Sequence, residues 1–569
     1  MAIRETLKLG EMLIEAGVIT PEQLEAGLKE HKKTKEFLGV TLVKMGFVSE
    51  EELLPVLSKQ LGIPFVRIKE MVIEPEIIKR VPAKFASHYK LMPLRMENGT
   101  LVIAVTDPLD IHTIDDIKLL LGYDVKPVLA GEKDITEAIK KYYGIGAGTV
   151  EKMLEKTAVE EAEGKVTEVV TEEVEELAED ASVIKFVNQL LSQAVEERAT
   201  DVHIEPYEDE LKVRFRIDGV LNDISVPPAI RHFASAIVSR IKIMANLNIA
   251  ERRLPQDGRI IIKIKGKDYD LRISIIPCVF GESVVIRILS PGMLYSLEEL
   301  GLLERDLKIL EEMIAKPHGI IFNTGPTGSG KTTTLYACLS KINKPGIKII
   351  TIEDPVEYQL KGIVQLQVHP KIGFTFATGL RSILRHDPDV IMVGEVRDLE
   401  TAETAIRVAL TGHLVFSTLH TNDAAGGVTR LIDMGIEPFL VASSVECIIA
   451  QRLVRLICPD CKKAVKPSKD VLEELEVMEN VDVDKITIFE GKGCEHCKFT
   501  GYRGRTGIYE FLVINNEIRK MIVERLPTDQ IKKKAMEMGM RTLRQDGWEK
   551  VLKGLTTPAE VMRVTQREE

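Results

Sequence analysis

Twelve residues near the middle of the chain, GPTGSGKTTTLY from Gly325 to Tyr336, restrict the fold more than any other stretch. An apolar run, GIIFNTG, leads into Gly325 and an apolar-periodic run, TTLYACLSKI, continues from Thr333, so the glycines sit where a buried strand turns into a helix. Glycine lets the backbone turn tightly there, and its N–H groups then converge on anionic oxygens at the positive end of the helix. Gly325-x4-Gly330-Lys331-Thr332 fits the phosphate-loop pattern. A glycine-rich loop alone is an ordinary turn; with strand and helix in place it predicts a nucleotide site. That site comprises Gly325, Pro326, Thr327, Gly328, Ser329, Gly330, Lys331, Thr332 and Thr333. Lys331 is expected to reach the β and γ phosphates, and Thr332 to ligate Mg2+.

Beyond about Pro291, short apolar runs (IKIITIED, DVIMVGE, HLVFSTLH) alternate with helical segments, which predicts parallel strands covered on both faces. Hydrolysis also needs a group to place water and cations to balance phosphoryl charge. VIMVGE ends in Glu395, read as magnesium-water ligand and possible base. TIEDPVEY offers Glu353, Asp354 and the rival base Glu357. His413 and His420 bracket the next strand, and His420 is placed to sense the γ phosphate. For each acid the plain alternative is a surface ion pair, and for each histidine a satisfied structural role.

A chain of 569 residues exceeds one core, since single cores stop growing near ~250–300 residues. Four segments are expected. Residues 1–145 form an N-terminal module, 146–180 an acidic linker, 181–290 a second domain and 291–569 the nucleotide-binding domain. The linker explains most of the net charge of −11, because residues 151–180 hold 12 acidic side chains against 3 lysines. Elsewhere the chain is near neutral, so no nucleic-acid surface is indicated. The N-terminus scatters charge and no run reaches the ~18 apolar residues of a membrane span, which predicts a cytoplasmic protein.

The first sixty residues repeat at an offset of 29: Leu9/Leu38, Gly10/Gly39, Leu13/Leu42, Gly17/Gly46, Leu24/Leu53 and Leu28/Leu57 match. Thr20 with Gln23, and Ser49 with Glu52, read as helix starts, so each repeat is a helix, a glycine turn and a capped helix. In the second domain LKVRFRID, YDLRISII and SVVIRILS alternate, setting arginines, Arg272 and Arg287 among them, on one sheet face. The last hundred residues are expected to be mostly helical around two cysteine pairs. Cys458-x2-Cys461 and Cys494-x2-Cys497 lie 32 residues apart and suit a closed, structural Zn2+ site.

Taken in order, the phosphate loop, TIEDPVEY, VGEVRD and TGHLVFSTLHTNDA resemble the secretion ATPase superfamily, specifically its type IV pilus assembly (PilB-like) and type II secretion (GspE-like) branch. They correspond to that family's Walker A, Asp box, Walker B and His box; ATDVHIEP and RFRIDGVL match its second N-terminal domain. The resemblance implies an α/β multidomain protein: a RecA-like P-loop core, a preceding PAS-like α/β domain, an N-terminal helical-repeat and α+β module, and a zinc-knuckle insertion. It further implies a homohexamer that turns ATP hydrolysis into domain motion, relayed to a polytopic inner-membrane platform protein and to cytoplasmic proteins of the pilus alignment or secretion complex. Arg272 and Arg287 are nominated by it as charge-balancing residues. The tetracysteine element and long N-terminal region mark the assembly branch rather than retraction. The repeats resemble the family's c-di-GMP-binding module, yet Lys8 and Phe37 stand where its arginines belong, and His31 and Gln60 at the motif ends. Ligand binding and a purely structural role both remain open there.

Overall fold

The computed structural model describes residues 9–34, 37–108, 114, 117–119, 122–162, 180–289, 295–476 and 486–566. Two compact units result, Met1–Leu289 and Ser290–Glu569.

The first unit begins with the repeats. Helices Leu9–Glu15, Pro21–Thr34, Leu38–Lys44 and Glu50–Leu61 form two helical hairpins. Gly17 and Gly46 take φ of 69° and 71°, as left-handed turns require. Ser49 and Glu52 close a capping box, and Thr20 and Gln23 exchange the same two bonds at 3.3 and 2.8 Å. Repeat-related Leu13 and Leu42 are both fully buried, so the two hairpins share one core. A small sheet follows, from β1 (Leu91–Glu97), β2 (Thr100–Val105) and β3 (Asp124–Leu129), with β1–β2 antiparallel and β2–β3 parallel.

The first part of the expected linker is packed into a core. Ala147–Ala162 is a helix whose Val150 and Met153 are buried with Val183 and Phe186 of the helix Ala181–Glu196. Apolar positions at its start outweigh the acidic count; the acidic residues 163–179, like Lys8, lie outside the described residues. Six strands then make an antiparallel sheet: β4 (Ala199–Pro206), β5 (Leu211–Ile217), β6 (Val220–Ile224), β7 (Gln256–Ile264), β8 (Lys267–Cys278) and β9 (Gly281–Leu289). Their order is β6-β5-β4-β9-β8-β7. Leu211, Val213 and Phe215 bury on one face while Lys212, Arg214 and Arg216 stay on the other, as the alternation predicts.

The second unit contains β10 (Gly319–Thr324), β11 (Ile349–Glu353), β12 (Val364–Gln367), β13 (Val390–Val393), β14 (Leu414–Leu419), β15 (Val445–Ile457), β16 (Lys462–Val465), β17 (Ile488–Gly491) and β18 (Tyr502–Val513). Seven form one sheet in the order β12-β11-β13-β14-β10-β15-β18, parallel except for β15–β18. Strands β10, β11, β13 and β14 are buried at every position, which requires helices on both faces. Helices predominate at the C-terminus as expected, but the long strand β18 was not foreseen: ten of its residues pair antiparallel with β15, and β16 pairs with β17 beside the cysteines. Among the described residues no helix is long and apolar enough to cross a membrane.

Candidate nucleotide-binding site

Parallel register assembles this site. Thr324 of β10 faces Leu419 of β14, Val393 of β13 faces Ser417, and Ile352 of β11 faces Val393. The residues just beyond these strand ends, Gly325, His420, Glu395 and the TIEDPVEY loop, therefore emerge side by side at the carboxyl edge of the sheet, where open α/β sheets bind ligands.

Gly325, Gly328 and Gly330 adopt φ of 151°, 79° and 91°. A Cβ on Gly325 would stand 2.6 Å from the Gln451 carbonyl oxygen and 2.7 Å from Ser329 Oγ, so no side chain fits. The helix Lys331–Ile342 starts at once after Gly330. Ser329 Oγ is buried with no hydrogen-bond partner, while Thr327 and Gly328 are exposed. A buried orphan hydroxyl inside a glycine cradle at a helix start suits an anionic ligand. Lys331 Nζ donates to the carbonyls of Gly325 (2.6 Å) and Pro326 (3.2 Å). Burial pushes its pKa down to about 8, against the raising influence of Glu395 and with help from Arg452.

Glu395 is the acid this edge brings to the loop. Its side chain is 11% exposed, with Oε1 2.5 Å from Arg397 Nη2 and Oε2 3.4 Å from His420 Nε2. His420 is thus placed against Glu395. His413 lies at the opposite end of β14, its Nδ1 3.1 Å from the Val408 carbonyl. Of the three acids at the end of β11 and just beyond it, Glu353 is buried and hydrogen-bonded to Tyr336, Thr351 and Gln365. Asp354 is exposed, and half-buried Glu357 sits on the loop between β11 and β12.

Sequence reasoning missed Gln451 and Arg452 on β15. Gln451 Oε1 accepts from Asn323 Nδ2 and Thr334 Oγ1, both at 2.8 Å, beneath the loop. Arg452 donates to the Asn422 carbonyl at 2.8 Å, which ties the segment after His420 to the strand flanking the loop. Thr324 and Thr421 reinforce that tie, their hydroxyls 2.7 Å apart. QRLVRL looks like any amphipathic strand; only the parallel pairing of β10 with β15 makes these two residues neighbours of the loop.

Arg272 and Arg287 belong to the first unit. Cross-strand register lines up Arg259, Arg272, Arg287, Asp201 and Arg216 in one row over β7, β8, β9, β4 and β5. Directly opposed like charges are unfavourable, and carboxylates offset part of the cost. Asp201 accepts from Arg287 Nε at 3.0 Å, and Asp270 takes both ends of Arg259 at 2.8 Å.

The four cysteines converge. All four Sγ atoms lie within 4.8 Å of one another, with Cys458–Cys494 at 3.7 Å, Cys461–Cys497 at 3.8 Å and Cys494–Cys497 at 3.7 Å. A tetrahedron with Zn–S bonds near 2.3 Å has edges of about 3.8 Å, so the donor set fits zinc. Backbone N–H groups of Cys494 and Gly501 donate to Cys497 Sγ at 3.1 and 3.3 Å, as a metal-bound thiolate needs.

A doubly wound P-loop sheet with acidic and histidine-bearing strand ends defines a nucleotide-hydrolysing α/β protein. The family described as type II/IV secretion system protein matches residues 176–563, and the chain belongs to that family of ATPases. An MshEN domain matches residues 61–149, which begins after the tandem repeats. The type IV pilus assembly ATPase PilB of Myxococcus xanthus is 45% identical over 563 residues, 98% of each chain. The type II secretion system protein E of Xanthomonas campestris pv. campestris is 44% identical over 533 residues, 92% of each chain. In fold, the chain is similar to the ATPase DotB of Legionella pneumophila, at TM-score 0.50 and 22% identity over 67% of this chain and 95% of that one. The resemblance read from the four boxes is therefore the family to which the chain belongs.

Proposed function

We propose that the chain couples ATP hydrolysis to type IV pilus assembly. One observation carries this reading: its likeness to a pilus assembly ATPase runs end to end, through the N-terminal module and the cysteine segment as well as the nucleotide domain. In this reading the backbone of residues 325–333 cradles the phosphates and Lys331 balances the β and γ charge. Thr332 and Glu395 hold the magnesium shell, whose ion supplies charge neutralisation for the leaving phosphates. Glu395 also serves as base, with Glu357 as the second candidate, and His420 senses the γ phosphate from its place against Glu395. Arg272 and Arg287 offer the guanidinium charge that phosphoryl transfer requires.

Zinc held by Cys458, Cys461, Cys494 and Cys497 has no open ligand position and is structural. The working form is a homohexamer, peripheral at the inner membrane, acting on a polytopic platform protein with alignment-complex or secretion-complex proteins beside it. No nucleic acid takes part. Type II secretion is the second reading, favoured by the likeness to a secretion protein E over 92% of both chains.

The test is complementation of a Myxococcus xanthus strain lacking its pilus assembly ATPase, beside ATPase assays with and without DNA. Restored surface pili and a DNA-indifferent rate support the reading, and R272A/R287A is expected to lower kcat at least ~10-fold. Normal expression without pili, or a rate that rises with DNA, contradicts it. For the N-terminal module, c-di-GMP is the ligand suggested by the Leu and Gly framework. Saturable binding to the full chain at micromolar ligand supports that, and its absence leaves a structural helical module.

A further inference from the structure

Glu353 ends β11 with a buried carboxylate that none of the roles above uses. Its relative exposure is 3%, and it is fully engaged. Oε1 accepts from Thr351 Oγ1 at 2.6 Å and from Gln365 Nε2 at 3.1 Å, while the Tyr336 hydroxyl donates to Oε2. Burial pushes the Glu353 pKa up, and those three bonds oppose it. Buried polar networks with every member satisfied are rigid, and they specify one arrangement of the segments they join.

What this network joins is informative. Tyr336 is on the helix Lys331–Ile342, four residues after Thr332 and so one turn further along the same helix face. Its hydroxyl oxygen accepts the backbone N–H of Glu357 at 3.4 Å, and its ring meets the Tyr358 ring edge-on with centroids 4.6 Å apart. Gln365 secures the same loop from β12: its Oε1 accepts the Leu360 N–H at 2.7 Å and its Nε2 donates to the Tyr358 carbonyl at 3.2 Å. Farther on, Asn343 just beyond the helix donates to the Lys361 carbonyl at 2.9 Å. The segment between β11 and β12 is thereby fastened to the helix that begins at Lys331, at Glu357 and again at Lys361.

We propose that Tyr336 and Gln365, joined through Glu353, are positioning residues for hydrolysis: they hold the backbone of Glu357 at a fixed offset from the helix that follows the phosphate loop. The inference rests on the second candidate of the proposed reading, in which Glu357 is the base and Glu395 serves the magnesium shell. Neither side chain is required to touch nucleotide. Loss of either leaves ATP affinity intact and misplaces the carboxylate, and a displacement near 1 Å is enough to cost on the order of 10²-fold in rate.

The experiment measures steady-state MgATP hydrolysis by the full chain as Y336F, Q365M and E357Q, each beside wild type, with melting temperatures. Y336F keeps the ring and removes the hydroxyl. Q365M keeps the length and removes both bonding groups, so it decides the matter should Y336F fold poorly. The expected result is a kcat at least ~10-fold lower in Y336F and Q365M, with KM for ATP within ~3-fold of wild type, and a near-dead E357Q. Lowered melting with wild-type kcat in both variants, beside a dead E357Q, means the network is structural only and overturns the inference. Wild-type kcat in E357Q overturns the reading of Glu357 itself.

Discussion

Glu395→Gln is expected to cut turnover by at least ~10²-fold while MgATP still binds. Gln keeps the shape of the side chain and its contact with His420, so the fold at the end of β13 is retained. What disappears is one negative charge from a largely buried position that also faces Arg397 and the field of Lys331. Removing it leaves those cations freer to attract a triphosphate, so affinity is held or improved. On the proposed reading, what Gln cannot supply is a proton acceptor and a negative charge for the magnesium shell. Comparing kcat with the dissociation constant for MgATP separates the two effects. Undiminished turnover in E395Q contradicts an essential role for this group and transfers it to Glu357.

Removing zinc is expected to lower the melting temperature of the C-terminal unit by at least ~5 °C, because a structural metal contributes folding free energy directly. Here the effect reaches beyond the knuckle. Ile488 of β17 shares a small core with Val471, Trp548, Val551 and Val561, so the strand pair by the cysteines supports the helices Leu543–Leu552 and Pro558–Val564. Cys461→Ser should reproduce the loss after chelation. Cys278→Ser should leave melting unchanged, since Cys278 is exposed and outside the cluster. Unaltered melting with zinc verified absent contradicts a structural contribution.

Features written locally in the chain were legible from it. Glycine spacing, helix caps and paired cysteines act within a few residues, so the repeats, the phosphate loop and the thiolate cluster are all recognisable from spacing. Elements whose logic is long-range were hidden. β18 reads poorly as a strand because Glu510 interrupts its apolar run, yet that carboxylate is buried and accepts the Ala424 and Leu543 N–H groups at two helix starts. Without the fold, an acid there signals exposure. Asp201 is similar: in ATDVHIEP it is one polar residue among several, and only the β4–β9 register sets it against Arg287. Gln451 and Arg452 needed the neighbouring strand before their role near the loop was visible. Charge misled in the opposite direction at Ala147–Ala162, where Val150 and Met153 are buried although the segment's acidic composition suggested a linker.

Calorimetric titration of the well-folded full chain with MgATP, and separately with a non-cleavable analogue, addresses the amide cradle around Lys331 most directly. Saturable heat for both ligands, abolished by Lys331→Ala in a protein that melts like wild type, is the predicted result. No heat of association with either ligand, or equal heat from Lys331→Ala, contradicts the assignment of this loop as the nucleotide site.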